Sequence, residues 1–175
     1  EIRMDYKRIK SYKDYIAIEE VKNFSLKQTF ECGQCFRFYK IVDTNYIVVA
    51  FEKVIELKQD RNNIFIYNSN EEDVKNIWIK YFDLERDYSE IQKELSKDEL
   101  LRKSVEFGPG IRILNQDPFE ILISFIISAR NSIPSIMKTI NKISIKYGRE
   151  IEYKDTIYYA FPTIYQIKDA TLEEI

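Results

Sequence analysis

The residues best suited to chemistry include the only two cysteines of the chain, Cys32 and Cys35, which flank Gly33. A C-x-x-C spacing could form a redox pair or half of a zinc site. The sequence has no second such pair and no histidine to complete a set of metal ligands. The commonest general base is missing for the same reason. We therefore expect no bound metal and no cofactor, and any reaction must use other groups.

Gly33 is the only glycine among the first 107 residues, and it lies just before the strand-like run 36–42. A single glycine ordinarily marks a turn or a bulge. It also lets the backbone approach another flat group closely, because it has no Cβ atom. The residues next to Gly33 do not decide between these two interpretations.

The composition is that of a globular protein with a large core and little net charge. Of the 175 residues, 45% are hydrophobic and 14% aromatic. The net charge of −2 gives no global sign of nucleic-acid binding, although a protein that grips DNA at one place needs only a local basic surface. No apolar stretch is long enough to span a bilayer, and the first residues lack the layout of a signal peptide. We expect a cytoplasmic monomer with no membrane partner.

The first part of the chain predicts an antiparallel sheet with packed helices. All four prolines and three of the four glycines follow residue 107, which suggests two domains, 1–107 and 108–175. Short β-branched or aromatic runs, separated by polar turns, predict a meander in the first domain. These runs are residues 15–18, 36–42, 46–51, 54–57 and 64–67. Helices opened by Asn70, Asp87 and Asp98 make this domain α+β.

The part after Gly110 has only helical signals. Residues 117–120 have the sequence Asp-Pro-Phe-Glu, which is typical of a helix start, and the apolar run 121–127 follows. We interpret this run as a core helix, because about 12 residues are too few to span a bilayer. The helix should end near Ala129, since Pro134 would break a longer one. The residues between the two helices would then lie exposed at a corner.

Further helix starts follow that corner. Residues 133–147 carry one apolar face and end before Gly148, and Phe161-Pro162 begins another helix. Thr171–Glu174 has the pattern of a capping box, so the chain ends within the first turn of a last predicted helix. Such a short helical layer leaves apolar surface uncovered. We therefore expect an N-terminal fragment of a longer protein.

Three segments, taken in order along the chain, resemble one protein family. They contain the motifs Cys-Gly-Gln-Cys-Phe-Arg-Phe from Cys32, Asn-Gln-Asp-Pro-Phe-Glu from Asn115 and Tyr-Ala-Phe-Pro from Tyr159. These motifs are similar to those of the 8-oxoguanine DNA glycosylase/lyases. The resemblance implies an α+β fold in which an antiparallel sheet with packed helices, of the TATA-binding-protein type, precedes the first helices of an incomplete all-α helix-hairpin-helix domain. It also implies base-excision repair, with double-stranded DNA containing 8-oxoguanine as the partner.

The resemblance gives Gly33 the role of reading the damaged base. In the family, the carbonyl of the matching glycine contacts N7 of the flipped base. Oxidation at C8 turns N7 of guanine from an acceptor into an N–H donor, so a backbone carbonyl distinguishes the two bases. A buried acceptor left unsatisfied by guanine costs roughly 1–3 kcal/mol. We expect Gln34 and Phe36 to support the loop and the core instead.

The resemblance also places Arg130, Asn131 and Ser132 in the DNA minor groove. A base cannot be attacked inside the stack, and a polar residue at a rigid helix corner can fill the gap left by a flipped base. The family commonly has asparagine where this chain has Arg130. Ser135 stands where a family member strict for cytosine has arginine, so we expect a relaxed preference for the opposite base.

The catalytic step is expected outside this chain. The family's nucleophilic lysine, which forms a Schiff base at C1′, and its aspartate belong to a helix-hairpin-helix expected beyond Ile175, so we assign no catalytic residue here. Two alternatives remain. One is a glycosylase of the same superfamily that removes alkylated bases with aspartate and water. The other is a non-catalytic α+β module that binds DNA or protein.

Overall fold

The computed structural model describes residues 4–171, which form two compact units. The first unit contains the described residues up to Gln34, together with Lys40–Tyr46 and Glu56–Asn115. The second contains Cys35–Tyr39, Ile47–Ile55 and the described residues from Gln116 onward. The units interleave along the chain, whereas the predicted division into 1–107 and 108–175 has a single boundary and stays a prediction.

Six strands form one sheet in the order β1-β2-β6-β5-β4-β3, which confirms the α+β class. Their bounds are β1 Arg8–Ser11, β2 Tyr15–Glu19, β3 Phe38–Val42, β4 Asn45–Ala50, β5 Lys53–Asp60 and β6 Asn63–Tyr67. β2 pairs antiparallel with both β1 and β6, and β5 pairs antiparallel with β6. The order departs from the predicted meander because β2 lies beside β6 rather than β3. A helix and the Gly33 loop occupy the connection between β2 and β3, which is too long for a hairpin.

The structure contains short elements that the sequence patterns did not indicate. β1 is a polar strand, and α1, Leu26–Phe30, has only five residues. β7, Glu150–Tyr153, pairs with β8, Thr156–Tyr159, so the prediction that only helices follow Gly110 is wrong. The two residues between these strands, Lys154 and Asp155, have φ of 48° and 57°. They form the left-handed turn that suits a two-residue hairpin, without the glycine that usually signals it.

Helices make up much of the remaining chain. α2 Glu71–Asp73, a π-helical turn Val74–Trp78 and α3 Ile79–Tyr81 replace the single α-helix predicted after Asn70. The others are α4 Tyr88–Leu95, α5 Glu99–Phe107, α6 Pro118–Ser128, α7 Ile133–Tyr147 and α8 Ile164–Ile167. No helix within residues 4–171 is both long and apolar enough to cross a membrane. The helix predicted from the capping box at Thr171–Glu174 lies outside the described residues.

Each unit has its own apolar core. In the first unit, strand residues such as Ile18 and Ile64 are fully buried together with Trp78. In the second unit, one face of α7 packs around Phe161 through Ile136, Ile140 and Ile143. A second cluster there joins strand residues to the β7–β8 hairpin. Its members are Ile47, Val49, Val54, Ile151, Tyr153 and Tyr158.

Helix α6 is only partly a core helix, which corrects the prediction made from its apolar run. Phe119 and Ile123 pack against the α7 cluster. Leu122, Phe125 and Ile126 are 57%, 69% and 65% exposed. Within the described residues this side of α6 is therefore uncovered. A run that is apolar all round predicts burial on every side, so the sequence could not show which side is open.

Gly148 ends α7 at a point where another stretch of backbone comes too close for a side chain. A Cβ atom there would lie 1.9 Å from the Ala160 carbonyl oxygen and 2.6 Å from that of Ser144. The φ of Gly148 is −83°, so the glycine is required for space and not for a left-handed backbone. We predict that Gly148→Ala lowers the free energy of unfolding by about 3 kcal/mol, because two backbone segments must separate.

Gly108 is the matched control for this substitution. A Cβ atom at Gly108 would meet Cδ1 of Ile111 at 2.6 Å, and that atom is the end of a flexible side chain. Gly108→Ala should therefore cost less than about 1 kcal/mol in a urea titration. Equal losses in the two variants would contradict the account of Gly148.

Candidate nucleic-acid interface

Gly33 lies in the exposed loop that follows α1 in the first unit. Its φ is 87°, a left-handed conformation that glycine adopts freely and that strains a residue with a Cβ atom. Within residues 4–171 the Gly33 carbonyl oxygen accepts no hydrogen bond. The glycine therefore makes a turn and also leaves an acceptor open to an external donor.

The side-chain amide of Gln34 ties this loop to its surroundings. Its Nε2 donates to the carbonyl oxygens of Thr29, at 3.0 Å, and of Arg112, at 2.7 Å. Its Oε1 accepts from the backbone N–H of Leu114 at 2.9 Å. Gln34 thus supports the loop, as its predicted role requires.

Arg112 anchors the segment that receives this amide. Its guanidinium is fully buried and pairs with Asp5, with 2.7 Å between Nη1 and Oδ2. Nε donates to the Phe82 carbonyl at 2.8 Å, and the guanidinium carbon lies 3.8 Å from the centre of the Tyr88 ring. Sequence reasoning missed Arg112, although one signal was present: it is the only charged residue in the otherwise apolar run 111–114.

The two cysteines do not form a disulfide. Cys32 is exposed and Cys35 is buried. The Cys32 thiol donates to the Thr29 carbonyl at 3.3 Å, which adds a contact within the loop. No group of three or more side chains able to hold a metal ion is found in the described part of the chain.

Arg130, Asn131 and Ser132 lie together at the corner between α6 and α7, and all three are exposed. The Asn131 amide is used locally: Oδ1 accepts from the Ser132 N–H at 3.0 Å, and Nδ2 donates to the Ile127 carbonyl at 3.4 Å. Ser132 precedes the first residue of α7, but its side chain makes no capping hydrogen bond. The corner fixes its own backbone and presents the Arg130 side chain to solvent.

The backbone of Arg130 has a φ of 55°. A left-handed non-glycine residue costs of order 1–3 kcal/mol, and such residues cluster at functional sites. Glycine or asparagine would be better suited to this conformation than arginine. The positive φ turns the chain between the two helices at this corner.

Helix α7 begins at this corner. It contains basic residues and no acidic ones. Lys138, Lys142 and Lys146 are exposed, and the sequence of α7 contains no aspartate or glutamate. In α5, by contrast, Arg102 pairs with Glu106 of the same helix. The helix that follows the corner thus carries three exposed lysines, although the whole chain has a net charge of −2.

Arg37 belongs to the motif that begins at Cys32. Its side chain is buried in the second unit. Its guanidinium donates to the Ser144 hydroxyl on α7 and to the Tyr159 carbonyl at the end of β8. The Ser144 hydroxyl in turn donates to the Ile140 carbonyl at 2.9 Å. Burial lowers the pKa of Arg37, and the nearby charge of Glu120 opposes that change. Sequence reasoning quoted this arginine only as part of a motif and gave it no role.

Glu120 lines a pocket of about 550 Å³ in the second unit, together with aromatic residues that include Phe161 and Tyr165. Burial raises the pKa of Glu120 to about 7. The Arg37 charge opposes this rise, and the Asp117 charge adds to it. Glu120 was predicted only as a residue of the helix start, and its partial burial is a tertiary effect.

Comparison with known proteins identifies one family from sequence. Residues 16–122 match the family model described as 8-oxoguanine DNA glycosylase, N-terminal domain. The N-glycosylase/DNA lyase of Saccharomyces cerevisiae is 28% identical over 165 residues, which cover 85% of this chain and 43% of that protein. The N-glycosylase/DNA lyase OGG1 of Arabidopsis thaliana is 25% identical over 162 residues, which cover 86% and 43%.

A solved structure matches almost the whole chain. It is the 8-oxoguanine glycosylase/lyase of Clostridium acetobutylicum in complex with double-stranded DNA containing cytosine opposite 8-oxoguanine. The TM-score is 0.95 at 56% sequence identity, with 98% of this chain and 59% of that chain covered. The α+β sheet followed by the α6–α7 corner is therefore the fold of the N-terminal portion of a DNA glycosylase.

The chain belongs to the 8-oxoguanine DNA glycosylase family. The match to the family model includes the Gly33 loop and ends within α6, before the corner. The chain spans less than half the length of the yeast and plant relatives.

The raised pKa of Glu120 predicts that stability depends on pH. The ordinary glutamate value is 4.5, so between pH 4.5 and 7 the folded state keeps a proton that the unfolded state releases. The proton on Glu120 thus contributes fully to the free energy of unfolding below pH 4.5. This contribution is lost as the pH rises through 7. Glu120→Gln stays neutral, so it should gain up to about 3 kcal/mol relative to the wild type between these two pH values.

Urea titrations of both proteins at several pH values measure this difference. The exposed Glu150 on β7 is the matched control, since Glu150→Gln should follow the wild type throughout. If the Glu120→Gln and wild-type stabilities run parallel from pH 4.5 to 7.5, the buried-carboxyl account is wrong.

Proposed function

We propose that the protein to which this chain belongs removes 8-oxoguanine from double-stranded DNA and then cleaves the strand at the abasic site. The observation that carries the proposal is the conformation of Gly33. Its φ of 87° and its unbonded carbonyl occur in the motif that resembles the family's lesion reader. The family match over residues 16–122 includes this loop and supports the assignment.

The chemistry of the base supports a carbonyl as the reader. Guanine presents a lone pair at N7, and 8-oxoguanine presents an N–H group there. The Gly33 carbonyl would bond the second base and be left unpaired against the first. An unpaired buried acceptor costs about 1–3 kcal/mol, so this contact alone separates the two bases roughly 5- to 150-fold.

The corner at Arg130 supports the role in DNA binding. We propose that the Arg130 side chain fills the gap left by the flipped base and that Asn131 and Ser132 line the minor groove beside it. The strained backbone of Arg130 and its exposed position suit insertion into DNA. The exposed lysines of α7 would add an attraction to the phosphate backbone.

Catalysis is not assigned to any residue of this chain. The lysine that would form the Schiff base and the accompanying aspartate remain expected beyond Ile175. We also propose that the protein acts in the cytoplasm as a monomer. A reducing compartment keeps thiols such as those of Cys32 and Cys35 reduced, and the capture of one flipped base by the residues above needs no second copy.

Excision and covalent trapping by the full-length protein test the proposed function. We predict release of 8-oxoguanine from a duplex and a covalent protein–DNA adduct when borohydride is added, because a Schiff base is reduced to a stable amine. Release without an adduct would indicate a glycosylase that uses only water. Release of alkylated bases with none of 8-oxoguanine would contradict the role of Gly33.

The residue at position 135 predicts the preference for the opposite base. Serine is too short to reach the edge of the unpaired base. The rates of excision opposite the four bases should therefore differ by less than about 5-fold. A bidentate contact from arginine to a base, by contrast, is worth about 1–3 kcal/mol. Ser135→Arg should therefore favour cytosine by about 10-fold or more in single-turnover assays. Asn141→Arg, on the exposed side of α7, is the control for added charge. A wild-type protein that strongly favours cytosine would contradict this prediction.

A further inference from the structure

We propose that Gln34 is a positioning residue for lesion recognition, because its side chain sets the direction of the Gly33 carbonyl. The inference rests on the proposed function of Gly33. The side chain forms hydrogen bonds to three backbone groups: the carbonyls of Thr29 and Arg112 and the N–H of Leu114. Gln34 itself does not touch the base in this account.

The geometry of the peptide bond makes Gln34 the residue that controls the carbonyl. The C=O of Gly33 and the N–H of Gln34 belong to one rigid plane. Glycine restricts its own φ and ψ less than any other residue, so the Gly33 side of this plane is intrinsically loose. Hydrogen bonds that hold Gln34 therefore restrict the orientation of this plane.

The partners of Gln34 are themselves held in place. Thr29 is fully buried, and its hydroxyl donates to the Gly110 carbonyl at 3.0 Å. The Arg112 carbonyl belongs to the residue whose guanidinium is fixed by Asp5. Leu114, whose N–H bonds the Gln34 Oε1, is also buried. Gln34 thus connects the flexible Gly33 to buried residues of the first unit.

The other side of the loop is fixed as well. Glu31 accepts from the Tyr46 hydroxyl at 2.6 Å and pairs with Lys40 at 2.7 Å. The glycine is then the flexible link between two anchored residues. Hydrogen bonds weaken steeply outside about 2.7–3.2 Å, so releasing one anchor moves the carbonyl out of range of N7.

Gln34→Met in the full-length protein tests the inference, because methionine has a similar length and removes the hydrogen bonds to the three backbone groups, together with the one to Cys32 Sγ. The readouts are single-turnover release of 8-oxoguanine and cleavage of a duplex that already contains an abasic site. The second substrate has no base for Gly33 to read. We expect 8-oxoguanine release to fall about 10- to 100-fold, with cleavage at the abasic site changed by less than about 2-fold.

Gln28→Met is the matched control. Gln28 is also half-buried, and its Oε1 accepts from the Gly110 N–H at 2.7 Å while its Nε2 donates to the Phe107 carbonyl at 3.3 Å. It bridges α1 to the same part of the chain without adjoining Gly33. This variant should keep the wild-type ratio of the two activities.

Gln34→Glu provides a second readout. A purely structural role of Gln34 would leave this readout unchanged. An ionised carboxylate cannot donate to the carbonyls of Thr29 and Arg112, whereas a protonated one can donate to one of them. The 8-oxoguanine release of this variant, relative to wild type at the same pH, should rise as the pH falls from 8 to 5.5. This ratio can be measured even if the methionine variant does not fold.

The outcomes separate the inference from the proposed function. A parallel loss of both activities in Gln34→Met, or no loss in either, would overturn the positioning role while the wild-type activity stands. A pH-independent ratio for Gln34→Glu would do the same. Failure of the wild-type protein to release 8-oxoguanine would instead refute the proposed function on which the inference rests.

Discussion

The buried ion pair between Arg112 and Asp5 is the interaction on which the position of the Gly33 loop depends. A guanidinium removed from water is tolerated only when its charge and its N–H groups are satisfied, and removing one partner of such a pair typically costs about 3–5 kcal/mol. Here the partners come from Asp5 near the start of the chain and from the carbonyls of Phe82 and Arg86. The pair therefore joins three distant parts of the first unit. The carbonyl of the same Arg112 then receives the amide of Gln34.

Under the proposed function, this arrangement would let a flexible residue read a base with precision. Lesion recognition by a backbone carbonyl needs close approach, which favours glycine, and a fixed direction, which glycine cannot supply. The structure separates the two requirements between neighbouring residues. Gly33 supplies the left-handed turn and the open carbonyl, and Gln34 supplies the hydrogen bonds. A similar division occurs at the α6–α7 corner, where Asn131 fixes the backbone and Arg130 projects outward.

The sequence predicted the parts of this structure that local interactions determine. Asp117 accepts the N–H groups of Phe119 and Glu120 at the start of α6, and the corner after Ser128 is where Pro134 requires it. The five strand-like runs and the α+β class were likewise visible in residue type and spacing. The Gly33 motif suggested the family only together with two further motifs that follow it in the expected order.

The remainder depends on tertiary contacts that local patterns do not contain. The spacing of apolar residues after Asn70 suits an α-helix, and the chain nevertheless widens into a π-turn that buries Trp78. The β7–β8 hairpin has Lys154 and Asp155 in its turn, where a glycine would have been the signal. Arg112 could be recognised as a charge among apolar residues, but its partners could not, since Asp5 lies more than a hundred positions away. Propensity is a weak guide wherever burial of distant residues decides the outcome.

The most direct test of the central claim is the distance between the Gly33 carbonyl oxygen and N7 of a flipped 8-oxoguanine. It can be measured in a crystal structure of the full-length protein, with its nucleophile disabled, bound to a duplex that contains the damaged base. The account predicts about 2.7–3.2 Å, with the N7–H directed at the oxygen. A separation well beyond hydrogen-bonding range, or an N7–H that donates to another group while Gly33 faces solvent, would contradict it.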